Sequence, residues 1–329
     1  MSFLAVLMAL IVEQARPLTQ GGFLHAVPRG WVRIVGRNLD AGLAHHGWLA
    51  WSVAVLLPSL LAMAVHHLLW WVHPVFAFFW NVAILYLTLG FRQFSHHFTV
   101  IRDALELGDE EQARAALARW QRVDASSLPR SELVRHVIEH SVLAAHRHVF
   151  GVLSWFSVLA ALGLGPAGAV IYRLADYAHR YWSHKGGQPG EGVSPALVAA
   201  SGKAWGLIDA LPSRMTAMAF AVVGSFEDAV DSWRQCHAQM ATADLTRVQR
   251  NEAILVAATA GAVNVQLGGS PLRTDVSDVS QSSGLTVPPS VGGRPPEPVH
   301  LRSVVGLVWR AVVLWIVLLA LLTLARLLG

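Results

Sequence analysis

Cysteine is almost absent: the sequence holds only Cys236, which excludes an internal disulfide and any thiolate metal cage. Charge is the second shortage. Asp, Glu, Lys and Arg make up 14% of the 329 residues, against about 25% in a soluble globular domain. Only two of the 25 basic residues are lysines, Lys185 and Lys203. The arginines are scattered beside apolar segments, without the dense basic face that a nucleic-acid binder needs, so nucleic acid is excluded as a partner. What the chain has in excess is apolar surface, with 54% hydrophobic residues and a mean hydropathy of +0.45. It reads as an integral membrane protein whose first partner is the lipid bilayer.

The apolar runs set the organisation. Met1 to Val12 is uncharged and ends at Glu13, Arg16 and Pro17. It lacks the basic start and small-residue cleavage site of a signal peptide, and is short for a span of about 20 residues, so a membrane-embedded or interfacial helix is expected. Trp48 to Val65 is long enough to cross. His66, His67 and His73-Pro74 then make a corner, and Val75 to Phe91 runs back. The corner lacks Lys and Arg while Arg37, Arg92 and Arg102 flank the pair, which puts the corner in the periplasm and the flanks in the cytoplasm. Trp70, Trp71 and Trp80 suit an aromatic belt near that corner.

Arg92 to Arg147 reads as a soluble helical excursion, with Ser131 as the N-cap of its second helix. Val149 to Tyr172 is a further span, interrupted at Gly163 to Gly168. Gly186 to Pro195 is a polar loop. Met215 to Phe226 is too short to cross alone, and either dips into the bilayer or completes a span with Ala204 to Leu211. Asn251 to Gly269 is a small-residue helix suited to close packing. Ser270 to Pro298 is a flexible linker rich in Ser, Pro and Gly. Ser303 to Ala325 is a last span, with Arg310 snorkelling near its start. The expected segments are a membrane region at 1–91, a cytoplasmic helical segment at 92–148, an embedded core at 149–269, a linker at 270–301 and a terminal transmembrane helix at 302–329. The fold class is an all-α integral membrane protein, with about four transmembrane helices, re-entrant or interfacial helices and a cytoplasmic helical layer.

Several pieces, in order, resemble one family. Asp103-Ala104-Leu105-Glu106-Leu107-Gly108-Asp109-Glu110-Glu111-Gln112-Ala113-Arg114 is similar to the "EAL-x-x-GD-x-x-x-AR" helix of the CobD/CbiB family, membrane enzymes of cobalamin biosynthesis. Gly165 to Ala169 with Tyr172-Arg173 resembles its "G-x-PGA-x-x-YK" segment. Pro212-Ser213-Arg214-Met215-Thr216-Ala217 resembles "PAR-L-T-A", and Ala260-Gly261-Ala262 with Gln266 to Gly269 resembles "AGAL-x-V-x-LGG". Order and spacing agree from about residue 92 to 269. The resemblance implies ATP- and Mg²⁺-dependent joining of an aminopropanol-type amine to a corrinoid carboxylate, at the bacterial inner membrane.

The polar signature departs from that pattern. "GRDT" meets Gln121-Arg122-Val123-Asp124, and "EN-x-x-DG" meets Ala144 to Val149, with His146 and His148 in place of the acid. "NTLDS" falls on Asp176-Tyr177-Ala178-His179-Arg180. "DD-x-x-N-x-x-PAR" becomes Trp205 to Arg214, which removes both leading acids, and "SPN" has no counterpart near Arg250-Asn251. Retained scaffold with altered polar groups resembles AmpE, a membrane relative associated with β-lactamase induction. Two readings follow: an accessory or regulatory protein that binds an anionic cytoplasmic ligand or a protein partner, or a working synthase acting on a corrinoid, with Mg²⁺ and ATP. A transporter would need the paired broken spans of inverted repeats, and the chain lacks them.

The ligand-binding candidates are Arg214, Asp209, Arg173, Arg180 and Glu139, with Arg214 as the anchor for a phosphate or carboxylate. A structural ion pair or helix cap is the plainer account of Asp209 and Arg214. His136-Val137-Ile138-Glu139-His140 fits a zinc-peptidase pattern, but a third ligand has no place in the sequence and the family match already accounts for Glu139. His66, His67 and His73 suit an interfacial role better than haem or copper. His96, His97, His146 and His148 sit just outside the expected spans, where histidine can sense pH.

Overall fold

A computed structural model describes residues 2–15, 23–121, 124–188, 192–269, 288–290 and 292–328. Helices α1 (Ser2–Ala15) and α2 (Phe23–Leu39) precede a long α3 (Ala44–Val72) and α4 (Pro74–Thr88). Then come α5 (Phe91–Glu106), α6 (Glu110–Gln121) and α7 (Arg130–Ala145), which continues through a π-helical turn at His146–Phe150 into α8 (Gly151–Ala161). The chain goes on through α9 (Ala167–Gly186), α10 (Pro195–Ile208), α11 (Ala210–Val223), α12 (Phe226–Met240), α13 (Arg247–Val263) and α14 (Pro298–Leu328). Among the described residues the β-type pairing is one isolated bridge, Val265 with Arg294.

Three stretches are long and apolar enough to cross a membrane: Ala44–Val72, Arg130–Ala161 and Pro298–Ala325. Helices α10 and α11, bent by 41° at Asp209, make a fourth if the pair is one span. The protein is therefore an all-α, multi-pass membrane protein.

Several expected boundaries move, two of them for a clear local reason. The corner after the first span lies at His73-Pro74 alone, so His66 and His67 are inside α3. Helix geometry is disfavoured for the residue before proline; His73 is extended (φ −165°, ψ 136°) and caps α4 by accepting the Val75 N–H at 3.2 Å. The second stretch long and apolar enough to cross is Arg130–Ala161 rather than Val149 to Tyr172, and it takes in the end of the segment expected to be cytoplasmic. It starts after Pro129, without a side-chain cap from Ser131, and ends where Gly163 and Gly165 take positive φ (81° and 58°). A Cβ on Gly165 would lie 2.5 Å from the His66 ring, so that turn needs glycine for space as well as for backbone angle.

The chain divides into two compact units, each discontinuous in sequence. The first comprises residues 1–91, 147–212 and 316–329, and the second 92–146 and 213–315. In the first, α3 packs on α9, α10, α4 and α2, and α8 packs on α9. Small residues permit these approaches: a Cβ on Gly168 would meet the Trp155 carbonyl at 2.0 Å, and one on Gly47 the Ala196 carbonyl at 2.8 Å. In the second, α12 packs on α13 and α13 on α7. The small-residue face of α13 does what the sequence implies, since a Cβ on Gly261 would sit 2.2 Å from the Asp228 carbonyl oxygen. Thr246 and Gln249 form a capping box at the start of α13, and Asn264 ends it in the left-handed region at φ 53°.

Most of the expected linker, residues 270–287 and 291, lies outside the described residues, as do Arg16, Pro17, Arg122 and Val123. Its described end is held rather than loose: Ser290 donates its N–H to the Leu267 carbonyl at 2.8 Å, and Gln266 to the Arg294 carbonyl at 2.9 Å.

Candidate functional site

In the first unit, the break between α10 and α11 gathers polar groups from three helices. Helix α10 stops at Asp209, leaving terminal carbonyls without helical donors, and Trp155 Nε1 of α8 donates to the Ile208 carbonyl at 2.9 Å. The Asp209 carboxylate is 3% exposed and accepts the Tyr172 hydroxyl of α9 at 2.8 Å. Tyr172 needs Gly151 beneath it, because a Cβ there would lie 2.0 Å from the ring carbon that bears the hydroxyl.

One turn along α9, Asp176 is fully buried, and its Oδ2 accepts Arg180 at 2.6 Å and Arg173 at 3.5 Å. Burial alone would raise its pKa, but Arg180, Arg173 and Arg147 together outweigh burial and hold it below the usual carboxylate value. Its Oδ1 is buried without a hydrogen-bond partner. His179 stacks on Trp205 of α10 with ring centroids 6.5 Å apart and 16° between the planes, and Trp205 also packs on Tyr172 at 5.1 Å. Burial pushes the His179 imidazole down to about 4, so it is neutral at physiological pH.

In the second unit, α7 carries Arg135, His136 and Glu139 on a buried face. Glu139 Oε1 accepts the Gly268 N–H at 2.7 Å and the Arg135 guanidinium at 3.3 Å, and Arg135 also donates to the Gly268 carbonyl at 2.5 Å. Arg135 bonds to Glu132 as well. Together they clamp the turn after α13, where Gly268 and Gly269 have φ of 84° and 109°. Arg214 is exposed near the start of α11 and reaches Asn251 Oδ1 at 3.4 Å, and His146 Nδ1 meets Thr216 Oγ1 at 2.9 Å. Of the sequence candidates, Asp209, Arg173 and Arg180 thus share one polar cluster in the first unit, and Glu139 and Arg214 belong to the second.

The H-x-x-E-H segment separates its members. His136 faces Glu139 at 3.4 Å, whereas His140 packs edge-on against Trp120 at 4.4 Å, and Trp120 stacks on His97. Among the described residues no three His, Cys, Asp or Glu groups converge as metal ligands.

Comparisons with known proteins place the chain. A family model described as CobD/Cbib protein matches residues 6–287. The chain belongs to the CobD/CbiB family. Over 334 residues it is 27% identical to a Stutzerimonas stutzeri protein named Cobalamin biosynthesis protein CobD, covering 96% of each chain. Over 188 residues it is 32% identical to a Chromobacterium violaceum protein of the same name, covering 57% of this chain and 55% of the relative. No solved structure matches.

Within the CobD/CbiB pattern, His179 stands where the "NTLDS" motif has its Asp, and Trp205 and Gly206 stand where "DD-x-x-N" has its paired acids. The fold brings His179 and Trp205 together as one ring stack. Mg²⁺ takes carboxylate and water oxygens, and a nucleotide's phosphates need that metal or free cations. Asp176 is turned to two arginines and Asp209 to Tyr172. The aromatic and imidazole rings beside them offer an oxygen-loving cation nothing, so these residues do not fit a Mg²⁺–ATP site.

Sequence reasoning missed Asp176, Tyr172 and Arg135 as organising groups. Two had a visible signal. Asp176 lies three and four residues from Arg173 and Arg180, and Arg135 four from Glu139, the spacings at which helical side chains meet. Nothing local pointed Tyr172 at Asp209.

Proposed function

We propose that this chain is a non-catalytic, AmpE-like accessory or regulatory member of the CobD/CbiB family in the bacterial inner membrane. The observation that carries the reading is the His179–Trp205 stack at the positions of the family's acids. A stacked aromatic pair cannot hold Mg²⁺ or neutralise a developing phosphate charge, while the glycines that shape the neighbouring backbone (Gly151, Gly168) remain essential to packing. Retention of shape without the acids suits binding more than turnover. Arg214 anchors an anionic cytoplasmic ligand at the exposed mouth of α11, with Asn251 at its side. Asp209 and Glu139 act as buried supports of the two units, and the part-buried Arg173 and the exposed Arg180 balance Asp176.

The deciding experiment assays membranes containing the protein for ATP-dependent amidation of the corrinoid acid. Absence of turnover, with a family synthase active in parallel, is expected; turnover overturns the proposal. Deletion should alter the β-lactamase induction profile, and an unchanged profile removes the AmpE-like role. A second reading, a working synthase with a divergent site, is favoured by one observation. The Stutzerimonas stutzeri relative, named for cobalamin biosynthesis, aligns over 96% of both chains. Complementation of a cobalamin auxotroph would support that reading, and restoring His179→Asp with Trp205→Asp would then raise its efficiency.

A further inference from the structure

Helix α2 presents three distinct faces. Val32, Val35 and Gly36 are buried against the first unit, and a Cβ on Gly36 would meet Trp182 Nε1 at 2.8 Å. Arg29, Arg33 and Arg37 recur every fourth residue, so they line one exposed stripe. Beside that stripe, Val27 and Ile34 are each 52% exposed. A helix that is buried on one side, and cationic next to exposed aliphatic carbon on the other, matches the chemistry of a bilayer's headgroup layer.

The position of α2 agrees. Trp31 Nε1 donates to the Ala54 carbonyl of α3 at 3.0 Å, one turn inward from Trp51. Trp48, 41% exposed, packs edge-on with Trp51 at 6.2 Å, and exposed tryptophan at the end of a span marks the interface. Arg33 and Arg37 therefore lie at or outside the headgroup level. Asp40, which closes α2, accepts both the Ser194 N–H at 2.7 Å and the Ser194 hydroxyl at 2.6 Å, and does not neutralise the stripe. Among the described residues none of the three arginines has a carboxylate at ion-pair distance. At the inner end Arg29 lies near Tyr177 of α9, which stacks on Tyr181 at 6.2 Å.

We propose that the Arg29–Arg33–Arg37 stripe of α2, with the Tyr177 hydroxyl beside it, binds the phosphates of anionic phospholipid headgroups. The exposed Val27 and Ile34 take the adjoining acyl carbon. Each basic residue near an anionic surface contributes roughly fivefold in affinity, so three give roughly 100-fold.

The test uses the full chain in neutral detergent, titrated with phosphatidylglycerol or with phosphatidylcholine of the same acyl composition, and counts bound lipids by native mass spectrometry. Phosphatidylglycerol should be retained in preference. The combined Arg29→Gln, Arg33→Gln, Arg37→Gln variant should lose roughly 100-fold in its affinity, and the matching triple arginine-to-lysine variant should keep most of it. A charge-matched control, Arg234→Gln with Arg247→Gln and Arg250→Gln in the second unit, should bind as wild type. Inorganic phosphate at millimolar concentration should not displace the lipid. Equal binding of the two lipids, equal loss in the control, or displacement by free phosphate each overturns the proposal. If the glutamine variant does not fold, the lysine variant and the phosphate competition decide the matter.

Discussion

The two units neutralise their buried carboxylates in different ways. In the first, Asp176 is balanced by Arg173 and Arg180 from its own helix, and Arg180 keeps 45% of its side chain in contact with solvent. In the second, Glu139 takes a guanidinium from its own helix and a backbone N–H 129 residues away, and both ionic partners are at least 93% buried. The first arrangement can relax towards water when a partner is lost. The second cannot, because Arg135 would remain buried with a frayed glycine turn beside it. Arg135 would keep Glu132 and the Gly268 carbonyl, but the Gly268 N–H would lose its acceptor and the buried guanidinium one of its two carboxylates.

Glu139→Ala should therefore produce the largest loss, about 2–4 kcal/mol, read as a fall in the unfolding midpoint in detergent. Asp176→Asn should be milder, about 1–3 kcal/mol, since Arg180 can turn outward. Equal losses for the two would remove the contrast. Next in size, Gly151→Ala should cost about 1–3 kcal/mol by driving a methyl group into the Tyr172 ring, with tryptophan fluorescence of Trp205 reporting the disturbance.

Acidification should sharpen the difference between units. The folded-state value of His179, about 4, lies below its ordinary 6.5. The unfolded chain therefore takes up a proton that the folded chain does not as pH falls from 6.5 towards 4. Stability should drop across that window by up to about 1.4 kcal/mol per pH unit, and His179→Phe should flatten the slope. A wild-type profile flat between those values would show that the imidazole is hydrated. The smallest effect belongs to the surface: Arg302 holds Glu106 at 3.0 Å in the open, which lowers the pKa of Glu106, and Arg302→Gln should leave the melting profile unchanged.

How legible all this was varied with range. Apolar run length revealed α3 and α14, and proline chemistry explains why α3 stops at His73 rather than at His66. Helical spacing pairs Asp176 with Arg173 and Arg180, and Glu139 with Arg135, without any knowledge of the fold. Bonds that cross between helices were silent. Tyr172 to Asp209 spans 37 residues, Glu139 to Gly268 spans 129 and Ser194 to Asp40 spans 154. No periodicity encodes such pairs, because each depends on how two helices happen to pack.

The sequence by itself determined that this is an all-α membrane protein of the CobD/CbiB type, since hydropathy and ordered motifs are properties of the chain read locally. Only the tertiary structure decided that the units are assembled from separated stretches. It alone turned the substituted acid positions, Trp205 and His179, into a ring stack. It also made Gly151 indispensable to Tyr172. The physical reason is common to all three: close packing lets residues far apart in sequence compete for one small volume, and the outcome depends on neighbours that the chain does not place side by side.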